Sequence, residues 1–445
     1  MSHREKHSGG QNPIAHAHPV THRRRGVSRR LTRLRSSGLK TWSAFLSVLG
    51  PGLLAGLSDD DPAGIATYSV LGTDYGYRLL WVIPFSTILL IYFHLIAVRI
   101  GAVTGKGFVA VIRERWGRRA GYAAVTGLLL ANFGTICAEY AGISAAASLV
   151  GIPSWISTPA AGVLISLVVV LGSFHRIEGV LLVISSTLAL YLVNGFLVKP
   201  DWSAVMHQSL IPHFPDNPGG WVIVAATLGT TLAPWGLAFI QSYAVDKKIR
   251  VEDLHLERID VIGGSVLTGL IGLAIAVSCA ATLHRAGLHI EDARDVAVSL
   301  KPLAGTFATV LFCVGLLGAS LLAAAIVPLA TAYSIAEGIG APASLNLDTR
   351  HFHVFYAVFI GLTVAAVSVV ALPGIPLIPL MFASQVVNAV LLPLHVAALQ
   401  MISGDHSVMG TFRSGTLSLF CGWFFVALVL ICLGALAVSW IGTAG

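Results

Sequence analysis

Apolar stretches of membrane-spanning length recur eleven times along this chain, and that recurrence leaves it little choice of fold. A bilayer core of about 30 Å takes about 20 apolar residues as a helix. The stretches lie near 43–58 continuing at 65–72, then 79–101, 120–150, 154–173 and 178–198. They resume near 221–233 continuing at 236–245, then 259–284, 304–336, 352–372, 375–402 and 415–441. Only 11% of the residues are charged and 55% are hydrophobic, whereas a soluble domain carries about 25% charged residues. An all-α integral membrane protein is predicted. The five cysteines, Cys137, Cys279, Cys313, Cys421 and Cys432, all fall inside apolar spans without a Cys-x-x-Cys pair, and are read as packing residues.

Charge asymmetry orients the spans. With a cytoplasmic N-terminus, the segments 1–42, 102–119, 174–177, 246–258, 337–351 and 403–414 lie inside and hold 22 of the 28 Lys and Arg residues. The outer loops hold five, and Arg99 sits at the inner end of the second span. Cytoplasmic loops carry the excess of Lys and Arg, so the N-terminus is predicted inside and the C-terminus outside a plasma membrane, the inner membrane of a bacterium. Residues 1–42 are read as a disordered basic tail that touches anionic lipid rather than nucleic acid. Ten Lys and Arg residues stand there against the single acid Glu5, among five histidines. The outer loop 285–301 is charge-balanced and rich in Leu and Val, and is read as holding a short amphipathic helix. The chain is read as a monomer.

Against this apolar background, Ser58-Asp59-Asp60-Asp61-Pro62-Ala63-Gly64-Ile65-Ala66-Thr67 interrupts the first span. One acid at the bilayer centre costs about 2.5–3.5 kcal/mol on insertion scales, so intramembrane acids are functional candidates. Pro62 has no N–H and disfavours a helical Asp61. Broken backbone at membrane depth is tolerated only within protein or along a polar cavity. A cation site at a helix break is the resulting reading. The sixth span is interrupted as well, at Ala233-Pro234-Trp235-Gly236-Leu237-Ala238. Both breaks read Pro-x-Gly-aliphatic-Ala, in opposite membrane orientations. Matching interruptions in two halves point to an inverted-repeat transporter with its site at the midplane.

At these residues the sequence resembles the NRAMP divalent-metal transporters. Gly50-Pro51-Gly52-Leu53-Leu54-Ala55 with Asp61-Pro62-x-x-Ile65-Ala66-Thr67 is similar to the family's first helix, whose signature is Asp-Pro-Gly-Asn. Tyr75-Gly76-Tyr77-Arg78-Leu79-Leu80-Trp81, Gly151-Ile152-Pro153, Lys199-Pro200-Asp201-Trp202 and Val408-Met409-Gly410 extend the likeness along nearly the whole membrane part. The resemblance implies a LeuT-type fold of two inverted five-helix repeats plus an eleventh transmembrane helix. It divides the chain into the tail 1–42, a first repeat 43–198, a second repeat 221–402 and a final span 415–441. It also implies metal bound as transported substrate, with no cofactor, between the unwound first and sixth helices.

Departures from the family pattern bear on the ion. Gly64 stands where an Asn ligand is expected, and Ala233-Pro234-Trp235 replaces Met-Pro-His. The thioether that helps select softer ions is therefore absent. Asp61, main-chain carbonyls near Asp60 and Thr230, and the amides of Gln385 and Asn388 remain as an all-oxygen set. Such a set suits Mg²⁺, which keeps several waters while one or two carboxylates hold it; a magnesium-transporting subgroup that resembles NRAMP is the nearest match. Replacing the histidine by Trp235 argues for transport without protons, driven by a membrane potential worth about 2.3 kcal/mol per charge per 100 mV.

Several residues keep two readings at this stage. Asp59 and Asp60 either support the ligand Asp61 from behind or stand in the vestibule, where they raise the local cation concentration. Glu139 is a buried structural acid or part of the ion or proton pathway. Thr230 offers its carbonyl to the metal or back-bonds within its helix; Gln385 and Asn388 ligate or bridge helices. Trp235 is a gate or a packed indole. Pro62, Gly64, Pro234 and Gly236 act through backbone conformation.

Among competing functions, a proton-coupled Mn²⁺/Fe²⁺ importer keeps the same fold, and a divalent-cation channel shares its uncoupled flux. An amino-acid carrier is disfavoured because three acids would repel a carboxylate substrate. The chain contains neither His-Glu-x-x-His nor Gly-x-Ser-x-Gly, which disfavours an intramembrane hydrolase.

Overall fold

Two helices of this bundle begin on the prolines at which the sequence marks its spans as interrupted, Pro62 and Pro234. A computed structural model describes residues 61–171, 181, 183–184, 186–340 and 352–443. The first helix, α1 (Pro62–Tyr75), is followed by α2 (Val82–Thr104), α3 (Phe108–Trp116), α4 (Arg118–Leu149), α5 (Ser154–Val170), α6 (Leu190–Leu197) and α7 (Trp202–Leu210). The second half opens with α8 (Pro218–Thr231) and α9 (Pro234–Asp246). It continues through α10 (Leu254–Thr282), α11 (Ala293–Val298), α12 (Ala308–Ile339), α13 (Phe352–Val370), α14 (Leu377–Gly404) and α15 (Thr416–Thr443).

Each predicted span meets a helix among the described residues. Among the described residues, seven helical runs are long and apolar enough to cross a membrane, and the apolar helices at 154–170, 186–197 and 355–370 are shorter. The predicted loops are less empty than expected. Segment 102–119 contains α3, α10 starts at Leu254 inside the predicted loop 246–258, and α7 fills part of the outer link. Loop 285–301 holds the short helix α11 and then one turn, Lys301–Ala304.

The two halves correspond in detail. α1 and α9 are half-helices of 14 and 13 residues, each with its break proline at the first helical position. The third spans of the halves, α4 and α12, are each 32 residues long and pack against one another along much of their length. In lipid, helices gain little from mutual hydrophobic burial, so small residues and polar links carry the contact. Asn132 of α4 supplies one such link, its Nδ2 donating to Thr331 Oγ1 of α12 at 2.7 Å.

Carboxylates tie the end of the bundle that carries Lys106 and Arg115. α3 starts at Gly107, which has no side chain to cap it. Glu337 of α12 does so instead: its Oε2 accepts from the Val109 and Ala110 N–H groups at 3.1 and 3.4 Å, and its Oε1 from the Ser242 hydroxyl of α9 at 2.8 Å. Helix N-termini attract such negative charge.

Asp405, just beyond α14, accepts from the Ser407 N–H and hydroxyl at 2.8 and 2.7 Å and pairs with Arg115 of α3. The Ser407 hydroxyl, then Arg115, hold its carboxyl down at about 2. Because that lies below the ordinary value of about 3.9, its stabilising contribution is present at neutral pH and is lost as pH falls from about 4 toward about 2. Asp405→Asn is expected to lower stability slightly at pH 7, by less than about 1 kcal/mol for so exposed a pair. Thermal unfolding curves of the two proteins in detergent should converge as the pH falls through that window.

Candidate metal site at the paired helix breaks

Asp61 holds extended backbone (φ −74°, ψ 170°) immediately before Pro62 and caps α1, its Oδ1 accepting from the Gly64 N–H at 2.6 Å. Pro62 costs the helix nothing here, since an N–H at the first position has no intrahelical partner. The Asp61 side chain is only 3% exposed. Asp59 and Asp60 lie outside the described residues, as does the Gly50–Ala55 motif.

Against Asp61 stands Glu139, from the middle of α4. It is fully buried, its carboxyl lies within hydrogen-bonding reach of the Asp61 carboxyl, and neither of its oxygens meets an amide, hydroxyl or cationic donor among the described residues. What presses the break onto α4 is Gly142, three residues further on. A Cβ there would fall 2.4 Å from the Pro62 ring and 2.5 Å from Ser320 Oγ.

The second break is built differently. α8 ends at Thr231, Leu232 and Ala233 turn the chain, and α9 starts at Pro234. The residue four beyond Thr230 is Pro234, which has no N–H, so the Thr230 carbonyl loses its helical donor. The C-terminus of α8 thus presents carbonyl oxygens and the negative end of its dipole to the break. Thr227 and Thr231 donate their hydroxyls to carbonyls one turn back, each at 2.8 Å, whereas Thr230 Oγ1 is buried without a partner among the described residues. The back-bonding alternative therefore describes its neighbours and not Thr230. Ala233 brings only a methyl group, and its carbonyl already accepts from the Gly236 and Leu237 N–H groups at 3.0 and 3.3 Å. Trp235 is buried beside Phe239, with Nε1 also unpartnered among the described residues.

The amides of α14 complete the ring. Asn388 Nδ2 donates to Gln385 Oε1 and to Thr135 Oγ1, both at 3.0 Å, and Gln385 Nε2 donates to Ser384 Oγ at 3.1 Å. Thr135 lies one turn before Glu139, so these amides bridge helices next to the carboxyl pair. Gly229, adjacent to Thr230, sits where a Cβ would approach the Gln385 carbonyl oxygen to 1.9 Å. Asp61, Glu139, Thr230, Gln385 and Asn388 thus come from four helices that pack on one another. Sequence reasoning missed Thr135 and Asn132. Their signal is the spacing Asn132, Thr135, Glu139, Gly142, three and four residues apart on one face of an apolar helix.

These features fit a multi-pass helical transporter with a candidate cation site between two interrupted spans. A family model described as natural resistance-associated macrophage protein-like matches residues 52–439. A divalent metal cation transporter MntH from Ralstonia nicotianae is 31% identical over 412 residues, covering 88% of this chain and 91% of that protein. Among solved structures, an Eremococcus coleocola manganese transporter matches with a TM-score of 0.70 at 23% identity, over 92% of this chain and 90% of that one. The nucleobase-cation-symport-1 transporter Mhp1 matches with a TM-score of 0.54 at 14% identity, over 88% of this chain and 93% of its own. The fold is LeuT-type, with two inverted five-helix repeats and an eleventh helix. The chain belongs to the Nramp family. It is a divalent metal cation transporter rather than an enzyme, and its metal is cargo rather than cofactor.

Proposed function

We propose that this chain takes up a hard divalent cation by alternating access, Mg²⁺ foremost and Mn²⁺ beside it. The observation that carries this reading is the donor set at the breaks. Asp61, Glu139 and the Thr230 carbonyl offer oxygen, while Gly64, Ala233 and Trp235 supply neither an amide nor a thioether nor an imidazole. Oxygen ligands with room for retained water suit Mg²⁺. Asp61 holds the ion directly, Gln385 and Asn388 steady the helices behind it, and Trp235 closes the wall. Asp59 and Asp60 draw cations toward the break. In this reading the N-terminus lies in the cytoplasm and the C-terminus outside, which the Lys and Arg asymmetry of the loops supports, with the repeats at 43–198 and 221–402.

A second reading has support of its own. The relatives are named as divalent metal cation transporters MntH and a manganese transporter, which favours a proton-coupled Mn²⁺/Fe²⁺ symporter. The contact between Glu139 and Asp61 also favours it, because a carboxyl pair is able to hold one proton in common. Flux into proteoliposomes under a set membrane potential, with internal pH recorded, separates the two. Saturable Mg²⁺ uptake without acidification is expected. Strong Mn²⁺ uptake with acidification, and no Mg²⁺ uptake, would overturn the magnesium reading in favour of the symporter.

A further inference from the structure

A cavity of about 250 Å³ lies away from the metal site, between α2, the first turn of α10 and the first turn of α15. Its polar walls are Arg99, Arg258, Glu257, Tyr92 and Ser418. Tyr92 donates to the Ser418 carbonyl at 2.5 Å and Arg99 Nη2 to Ser414 Oγ, which fixes the floor. At the walls of this cavity two buried atoms have no partner among the described residues: the donor Arg99 Nε and the acceptor Glu257 Oε2. No ion pair joins these two side chains. Buried polar groups are nearly always satisfied, by protein, water or ligand, and a ligand that accepts at one point and donates at another would match both atoms.

The approach to the cavity is apolar. Ile88, Tyr92, Leu95 and Arg99 follow one another at helical spacing down a single face of α2, and Ile88 is 56% exposed. Ile259, Ile262 and Phe420 stand exposed on the flanking helices. In a spanning protein such side chains face acyl chains. We propose that this cavity binds the headgroup of one membrane phospholipid. Its phosphodiester meets the Arg99 and Arg258 guanidinium groups, its amine or hydroxyl donates to Glu257, and its acyl chains run along the Ile88–Leu95 stripe. The volume, about eight times the roughly 30 Å³ of one water, admits a headgroup and not the chains. Basic pockets at the ends of spans are known lipid sites. Here the added Glu257 selects headgroups that can donate.

Native mass spectrometry of the full chain in mild detergent tests this, with phosphatidylethanolamine, phosphatidylglycerol or phosphatidylcholine added, or inorganic phosphate alone. One retained phospholipid is expected, with the ethanolamine and glycerol lipids ahead of the choline lipid, whose headgroup has no donor. Arg99→Gln should lower occupancy about tenfold, the worth of a hydrogen bond to a charged group. Glu257→Leu should bring the three lipids level. Leu95→Trp, which blocks the stripe without touching a charge, should also empty the site and keeps the proposal testable where Arg99→Gln does not fold. Unchanged occupancy in a monodisperse Arg99→Gln or Leu95→Trp protein overturns the proposal. So does displacement of the lipid by inorganic phosphate, which would mark a soluble-anion site.

Discussion

Asp61→Asn is expected to lower divalent-cation flux on the order of 100-fold, equivalent to about 3 kcal/mol, while leaving the fold intact. The two roles of this residue separate cleanly. As a cap, Asp61 accepts from the Gly64 N–H, and Asn caps about as well as Asp. As the proposed ligand it would supply charge, which Asn lacks. Asp61→Ala should lose both functions, adding a stability loss of about 1 kcal/mol to the same loss of flux. Initial rates of Mg²⁺ and Mn²⁺ uptake in proteoliposomes, with thermal unfolding measured on the same preparations, distinguish these outcomes. Wild-type rates in Asp61→Asn would remove the residue from the ion's path.

Among the described glycines, Gly229 makes the closest approach to the backbone of another helix, and Gly229→Ala should be strongly damaging. The new Cβ would stand 1.9 Å from the Gln385 carbonyl oxygen and 2.7 Å from the Ala389 nitrogen, both backbone atoms of α14. Neither is free to swing away as a side-chain tip would, so α8 and α14 must separate. Overpacking of this kind costs about 1–3 kcal/mol or more, and it also displaces Thr230. Gly263→Ala is the matched control, since a Cβ at Gly263 meets nothing within 4 Å. Relative to that control, the unfolding temperature in detergent should fall by about 1–3 °C or more, and flux should be lost. Equal unfolding temperatures would show that the two helices are less tightly registered than their geometry implies.

The breaks were legible because they violate a pattern. Three acids and a proline inside an apolar span stand out against their surroundings, and the repeat at Pro234 pairs them with a second site. Glu139 was visible as an unusual residue, but nothing along the chain could say which side of α4 faces Asp61. That depends on Gly142 seating the Pro62 ring, a contact between spans far apart in sequence. The Thr135–Asn388 bridge was hidden for the same reason, since each partner alone reads as an ordinary polar residue in a long helix. Glu337 escaped notice because it falls at the edge of an apolar run, where an acid looks solvated. Its burial follows from the capless start of α3, a helix too short and too charged to register in a search for spans. Replacing the family's methionine and asparagine by Ala233 and Gly64 could be read directly. The proton question could not, because the histidine is lost while the carboxyl pair is retained.

The Gly64 N–H that occupies Asp61 Oδ1 has a consequence for turnover. An oxygen that accepts from the first turn of α1 keeps a second lone pair for an ion, but it is a weaker donor to that ion than its free partner. Under the ligand role proposed for Asp61, a grip through both oxygens would draw on the same charge that caps the half-helix. The ion would then be held more lightly than by a free carboxylate, and its departure would restore the ordinary opening of a helix. A storage protein would gain from a firmer hand. For a carrier, whose rate is limited by how readily cargo is surrendered on the far side, the looser one is the better fit.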